Sequence, residues 1–368
     1  MQKTKKIIII LFCICIITAS FSGCLSRPET LEETADKMYS SYLQSEGVPS
    51  ASVLVVKDGE KLLEKSYGLR NIKAGERATP NSSYRLACVT KPFTSMGILL
   101  LWEKGLIDLD MPVKEILTDF PKSAEKATIR HLLQNSSGLP DYQDLWPSYG
   151  APLRDKEVYE LIKKHDQNRF FPGSDVCLNS DTAFAVLALV IEQVSGMSYQ
   201  EYMAENIFKP LGMNHTVAFV DGYNTVPERA YGTVWRDDRY VVEDQYAYSP
   251  VLGDGGIYSS IHDLYLWDQA LAENKLISAD RMKEAMKTAK PIKDSKGVSY
   301  SCGWYVEEVK GHQMIQTSGG TIGFSHMFIR FPNEKVTVVI LTNCHNSWNV
   351  LRNAEKLAFK AMEESRFD

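Results

Sequence analysis

Tyr84-Arg85-Leu86-Ala87-Cys88-Val89-Thr90-Lys91-Pro92-Phe93-Thr94 carries the strongest structural signal in the chain. It leads into the apolar run Met96-Gly97-Ile98-Leu99-Leu100-Leu101, which predicts a helix stopped at Lys104-Gly105. A nucleophile-type residue three positions before a lysine, at a helix start, puts Cys88 and Lys91 on one face. A lysine so placed acts as base or electrostatic activator, and a helix N-terminus favours a developing anion. The same physics predicts that the Cys88 thiolate forms more readily than those of Cys302 and Cys344. Alone the spacing is weak, because free cysteine is most often a small buried apolar residue. Its weight comes from the rest of the chain.

The 368 residues suffice for one large or two interleaved domains with an ample core. Six Trp, 18 Tyr and 14 Phe fit a globular enzyme or binding protein and exclude a disordered chain. The net charge is −5 and no Lys/Arg-rich patch follows the N-terminus, which argues against a nucleic-acid partner.

Lys3, Lys5 and Lys6 precede the apolar run Ile7–Ile17, eleven residues long and too short for a comfortable membrane span. Ala19-Ser20-Phe21-Ser22-Gly23-Cys24 follows, with small residues before a cysteine, as in a lipobox. The expectation is a signal peptide over 1–24, lipidation at Cys24, and an exported lipoprotein held at the membrane or cell surface. Cys13 and Cys15 would leave with the signal, so Cys88, Cys177, Cys302 and Cys344 remain. Four cysteines in so long a domain are no disulfide scaffold, and their spacing has no zinc pattern. Neither a metal nor a cofactor is expected.

Ser52–Val56, Asp58-Gly59 and Lys61–Glu64 read as a hairpin with a tight turn. Helical patterns dominate from about Asp108 to Val220: Thr128–Leu133, Thr182–Ser195 and Tyr199–Phe208. Helices over His262–Ala272 and Ala279–Lys287 follow, then strand patterns at Gly303–Val309, Gln313–Thr317, Gly323–Phe331 and Lys335–Thr342. A helix over Trp348–Glu364 closes the chain. Strands early, helices centrally and strands late predict an α+β fold: an antiparallel β-sheet built from both chain ends and flanked by helices, with a mostly helical inserted domain. The expected division is an α/β part at about 30–107 and 221–368 and a helical part at about 108–220.

Beyond the Cys88 stretch, several landmarks occur in order. They are Ser136-Ser137-Gly138-Leu139-Pro140-Asp141-Tyr142, Phe171-Pro172-Gly173, Asn206–Met213, Gly253-Asp254-Gly255-Gly256 and Ser318-Gly319-Gly320. Together they resemble the serine β-lactamase-like family, which includes class C β-lactamases, D-alanyl-D-alanine carboxypeptidases and related esterases. The resemblance spans roughly Val48 to Thr342 and implies hydrolysis of an amide or ester bond in a small molecule or peptide through an acyl-enzyme.

Each of the family's three motifs is altered. Cys88 stands where the S-x-x-K serine belongs, with Lys91 retained. Counting back from Ile191-Glu192 puts the Tyr-x-Asn motif on Asn179-Ser180-Asp181; reading it as Tyr-Leu-Asn puts it on Cys177-Leu178-Asn179. Neither keeps a tyrosine. The Lys/His-Ser/Thr-Gly strand reads Thr317-Ser318-Gly319, where the resemblance implies substrate binding. The implied catalytic candidates are therefore Cys88, Lys91, Cys177, Asn179 and Asp181, with the backbone N–H groups of Cys88 and Gly320 as the oxyanion hole.

Two readings stand side by side. One is a working hydrolase with a cysteine nucleophile, since a thiol is intrinsically more nucleophilic than a hydroxyl at neutral pH. The other is a pseudoenzyme, an exported binding lipoprotein that keeps the cleft. Three separate losses point that way, and sulfur misplaces a nucleophile in a site shaped for serine.

Overall fold

Ala51–Lys57 reads Ala-Ser-Val-Leu-Val-Val-Lys, and all but its last residue are buried. A strand without polar alternation must be covered on both faces. In the computed structural model, which describes residues 29–40, 47–175, 177–287, 289–345 and 349–364, it is. Val53 and Val55 pack with Leu31, Ala35, Ala354, Leu357 and Ala358 of the two terminal helices, Leu31–Met38 and Val350–Glu364. Leu54 and Val56 join the opposite core with Phe93, Leu264, Trp267 and Phe328. Asp58 and Gly59, with φ of 49° and 85°, make the turn into Glu60–Tyr67, since two-residue hairpins of this kind need positive φ at both positions.

The eight strands of the large sheet run in the spatial order Lys290–Pro291, Ser299–Ser301, Trp304–Val309, His312–Thr321, Phe324–Phe331, Val336–Thr342, Ala51–Lys57 and Glu60–Tyr67, and every pairing is antiparallel. Val336–Thr342 lies beside Ala51–Lys57, so the two chain ends meet in mid-sheet as the sequence predicts. The two shortest strands of this sheet, at 290–291 and 299–301, and the helix Asp155–His165 have no counterpart in the sequence pattern.

The site lies where the helical layer meets the sheet. The helix Lys91–Glu103 is buried along almost its whole length and is crossed by Asp181–Ser195 and Tyr199–Met203. Gly97 permits the close crossing: a Cβ there would sit 2.8 Å from Ile191 Cδ1 and 3.3 Å from Met203 Sδ. Residues 1–28, on which the export and Cys24 readings fall, lie outside the described residues. Among the described residues no single helix is long and apolar enough to cross a membrane.

Candidate active site

Cys88 lies on a tight 3₁₀ turn, Ala87–Thr90, that runs directly into the helix Lys91–Glu103. Ala87 has φ of 49°, a left-handed conformation that costs a non-glycine residue about 1–2 kcal/mol. The surrounding backbone holds this turn. Leu86 N donates to Ile257 O at 2.8 Å, and Ile257 N donates to Thr90 Oγ1 at 3.3 Å. His326 Nδ1 accepts from Thr342 N, which fixes Nε2 as the donor to Arg85 O at 2.7 Å. On the other side runs His312–Thr321, where a Cβ on Gly319 would meet Leu86 O at 2.1 Å, so only glycine fits. Thr317 and Gly319 are buried on the side of this turn, whereas Ser318 and Gly320 are exposed.

Lys91 is buried, and its ammonium donates to Asp181 Oδ1 at 2.5 Å and to Asn179 Oδ1 at 3.2 Å. Burial alone would lower its pKa, but Asp181 and then Cys88 raise it well above the ordinary lysine value. Asp181 opens the helix Asp181–Ser195; its own N–H donates to Asp141 Oδ2 at 2.8 Å, and Gln143 Nε2 donates to its second oxygen at 2.5 Å. Cys88 Sγ faces Asp181 Oδ1 at 3.9 Å.

The thiolate expectation fails here. Burial pushes the Cys88 thiol up to about 12; Lys91 pulls it down, and Asp181 and Asp254 push it up again. The lysine that was to activate the sulfur is already neutralised by a carboxylate beside both groups. All four described cysteines are free thiols, and burial pushes Cys177 and Cys302 up to about 11.

The structure therefore gathers Cys88, Lys91, Asn179 and Asp181 into one cluster. Cys177 stands apart from it: its backbone bridges to Ile292 and its side chain is buried in the main core. Asn179, common to both readings of the motif, and Asp181 both contact Lys91, whereas Cys177 makes no hydrogen bond to Lys91 or Cys88 among the described residues.

Further polar residues line the cluster that the spacing of motifs did not single out. Asp254 accepts from the Tyr142 hydroxyl at 2.8 Å, and burial, then Asp181, hold it well above the carboxylate range. Asp141 is raised by burial and by Asp181 in the same way. The Tyr300 hydroxyl is fully buried without a hydrogen-bond partner among the described residues, in the field of Lys91 and Cys88. Asp254 had a signal, a charged residue inside a Gly-Asp-Gly-Gly turn; Tyr300 had none. No cluster of His, Cys, Asp and Glu suited to a metal occurs among the described residues.

The pattern of the Beta-lactamase family matches residues 35–361. Penicillin-binding protein 4* of Bacillus subtilis (strain 168) is 30% identical over 333 residues, covering 84% of this chain and 72% of its own. The octameric penicillin-binding protein homologue from Pyrococcus abyssi superposes with a TM-score of 0.72 at 26% identity, over 85% of this chain and 72% of that one. D-amino acid amidase from Ochrobactrum anthropi SV3 shares the fold, with a TM-score of 0.77 at 22% identity over 91% and 99% of the two chains. With the Cys88–Lys91 turn held between the same sheet and helical layer, the chain belongs to the β-lactamase family of hydrolases.

Proposed function

We propose that this chain is a disarmed member of its family: it binds an amide- or ester-containing small molecule or peptide at the Cys88 cleft and does not turn it over at neutral pH. The observation that carries this is the 2.5 Å pairing of Lys91 with Asp181 beside a thiol pushed up to about 12. At neutral pH a thiol raised in this way stays protonated for the most part, and the thiolate is the attacking species. The tyrosine that would donate a proton to the leaving group is replaced by Asn179, and general acid–base help of that kind is worth ~10²–10⁴-fold. Backbone N–H groups at Cys88 and Gly320 need no side chain, so carbonyl binding outlasts the loss of chemistry.

The second reading is slow acyl transfer through Cys88, favoured by one contact: Sγ faces Asp181 Oδ1 at 3.9 Å, a route for the thiol proton. Steady-state turnover of p-nitrophenyl acetate and nitrocefin by wild type and Cys88→Ala separates the two. Equal, near-background rates support a binding protein, whereas brisk wild-type turnover lost in Cys88→Ala establishes a cysteine hydrolase. Export and anchoring through Cys24 belong to the same proposal and rest on the N-terminal sequence. One acyl chain binds membranes only marginally, so a Cys24 anchor requires more than one. Membrane fractionation of wild type and Cys24→Ala, with sequencing of the mature N-terminus, tests it.

A further inference from the structure

We infer that the outer face of the two terminal helices, Leu31–Met38 and Val350–Glu364, docks on a bilayer of anionic lipid, with Lys310, Arg352, Lys356 and Lys360 taking the headgroups. This deepens the export proposal and rests on its Cys24 anchor. Five residue steps separate Cys24 from Glu29, the first described residue. An extended chain spans at most about 3.6 Å per residue, so an acylated Cys24 keeps Glu29 within about 18 Å of the bilayer surface. A domain of this size is about 50 Å across, so the side of the molecule opposite Glu29 cannot face the membrane. Glu29 itself lines a groove between the two terminal helices, which the anchor therefore brings within reach of the headgroups.

The groove carries the charge for that contact. Arg352, Lys356 and Lys360 recur every fourth residue, so they form one stripe along the last helix. Lys310, on the turn after Trp304–Val309, joins them, with its ammonium 4.1 Å from the centre of the Phe359 ring. None of the four cations makes an ion pair among the described residues. Elsewhere on the surface, lysines such as Lys65, Lys163 and Lys209 are paired with carboxylates. Glu29, Glu355 and Glu363 share the groove, and Glu29 is paired with Lys37 outside it at 3.9 Å. Four cations thus stand against the two remaining carboxylates, in a chain whose net charge is −5. Each lysine or arginine held near an anionic surface strengthens attachment about fivefold. A basic face of this kind is the second signal that turns a marginal acyl anchor into a stable one.

The docking face and the Cys88 cleft lie on opposite sides of the sheet. The terminal helices pack on Val53 and Val55, whereas Phe93, in the helix that follows Cys88, packs with Leu54 and Val56. Docked in this way, the protein turns its cleft away from the bilayer, and its ligand arrives from the aqueous side rather than from the membrane.

Lysine footprinting with a water-soluble acetylating reagent tests this. Protein purified from membranes is bound to preformed vesicles of phosphatidylcholine alone, or of phosphatidylcholine with about one-third phosphatidylglycerol. Lys310, Lys356 and Lys360 are expected to acetylate at least threefold more slowly on the anionic vesicles, and high salt is expected to remove the difference. Lys156, exposed on the helix Asp155–His165 of the opposite layer, is expected to be unaffected. Combining Arg352→Glu, Lys356→Glu and Lys360→Glu should abolish the protection of Lys310. Equal rates on the two kinds of vesicle, or protection of Lys156 instead, overturn the inference. The wild-type comparison stands even where the variant does not fold. Protein that carries no lipid on Cys24 refutes the anchor reading; its co-sedimentation with the two kinds of vesicle then decides the docking face, and no preference for the anionic vesicles overturns it.

Discussion

Replacing Asp181 by asparagine should release Lys91 and restore a reactive thiol at Cys88. The carboxylate oxygen lies 3.9 Å from the sulfur. Two unit charges that far apart interact with about 4 kcal/mol at an effective dielectric of about 20, which corresponds to about three pK units on the thiol. Cys88 is half-buried, and solvent on its open side screens part of this, so the expected gain is roughly 10²-fold in thiolate. The substitution also removes the ion pair that holds Lys91 to one side, so the ammonium turns toward sulfur. The assay is iodoacetamide alkylation followed by peptide mass mapping at pH 7.5. Wild-type Cys88 should label slowly, Asp181→Asn about 10² times faster, and Asp181→Asn with Lys91→Met at close to the wild-type rate. Cys177, Cys302 and Cys344, all buried, are internal controls. An Asp181→Asn rate within threefold of wild type would show that the carboxylate does not control the thiol.

Asp155 is buried and pushed up to about 7, against the pull of the Leu252 and Gly253 N–H groups. Its folded form keeps a proton that the unfolded chain has lost above pH 4, so its contribution falls as pH rises from about 4 to 7, by on the order of 4 kcal/mol. His326, lowered to about 4 by burial, has the opposite slope, so urea midpoints of wild type and Asp155→Asn should be compared at pH 4.5 and 7.5, where the variant is expected to gain relative stability at the higher pH. Gly319→Ala forces a Cβ to 2.1 Å from Leu86 O and should cost about 3 kcal/mol or more, read as a lowered denaturation midpoint. Cys88→Ser alone should remain near background on p-nitrophenyl acetate, because groups that act as a unit are strongly non-additive; adding Asn179→Tyr, Asp181→Asn and Thr317→His together should raise turnover at least tenfold over either partial set.

The sheet is legible in the sequence because its central strands are continuous apolar runs and its first turn is Asp-Gly, signals that act locally. Lys290–Pro291 and Ser299–Ser301 are too short to carry a period and exist only because longer neighbours pair with them. The Cys88–Lys91 spacing is equally local, and it places both residues correctly. Its chemical reading went astray for a non-local reason: Asp181, ninety positions away, arrives at the lysine first. Counting could not choose between Cys177 and Asn179, since both offsets preserve the downstream helix. The helix start at Asp181 brings Asp181, with Asn179 just before it, to Lys91, while Cys177 packs in the main core. Asp141, Asp254 and Tyr300 converge from three distant segments, and no window of sequence contains them together.

Lys91, held by Asp181, no longer activates Cys88. Intact-mass analysis of the wild-type protein, sampled from seconds to hours after mixing with nitrocefin or p-nitrophenyl acetate at pH 7.5, is the decisive check. An unchanged mass over seconds to minutes, with product at the rate of buffer alone, is the expected result. A mass increase localised to Cys88 that forms and clears within seconds, absent in Cys88→Ala, would contradict it.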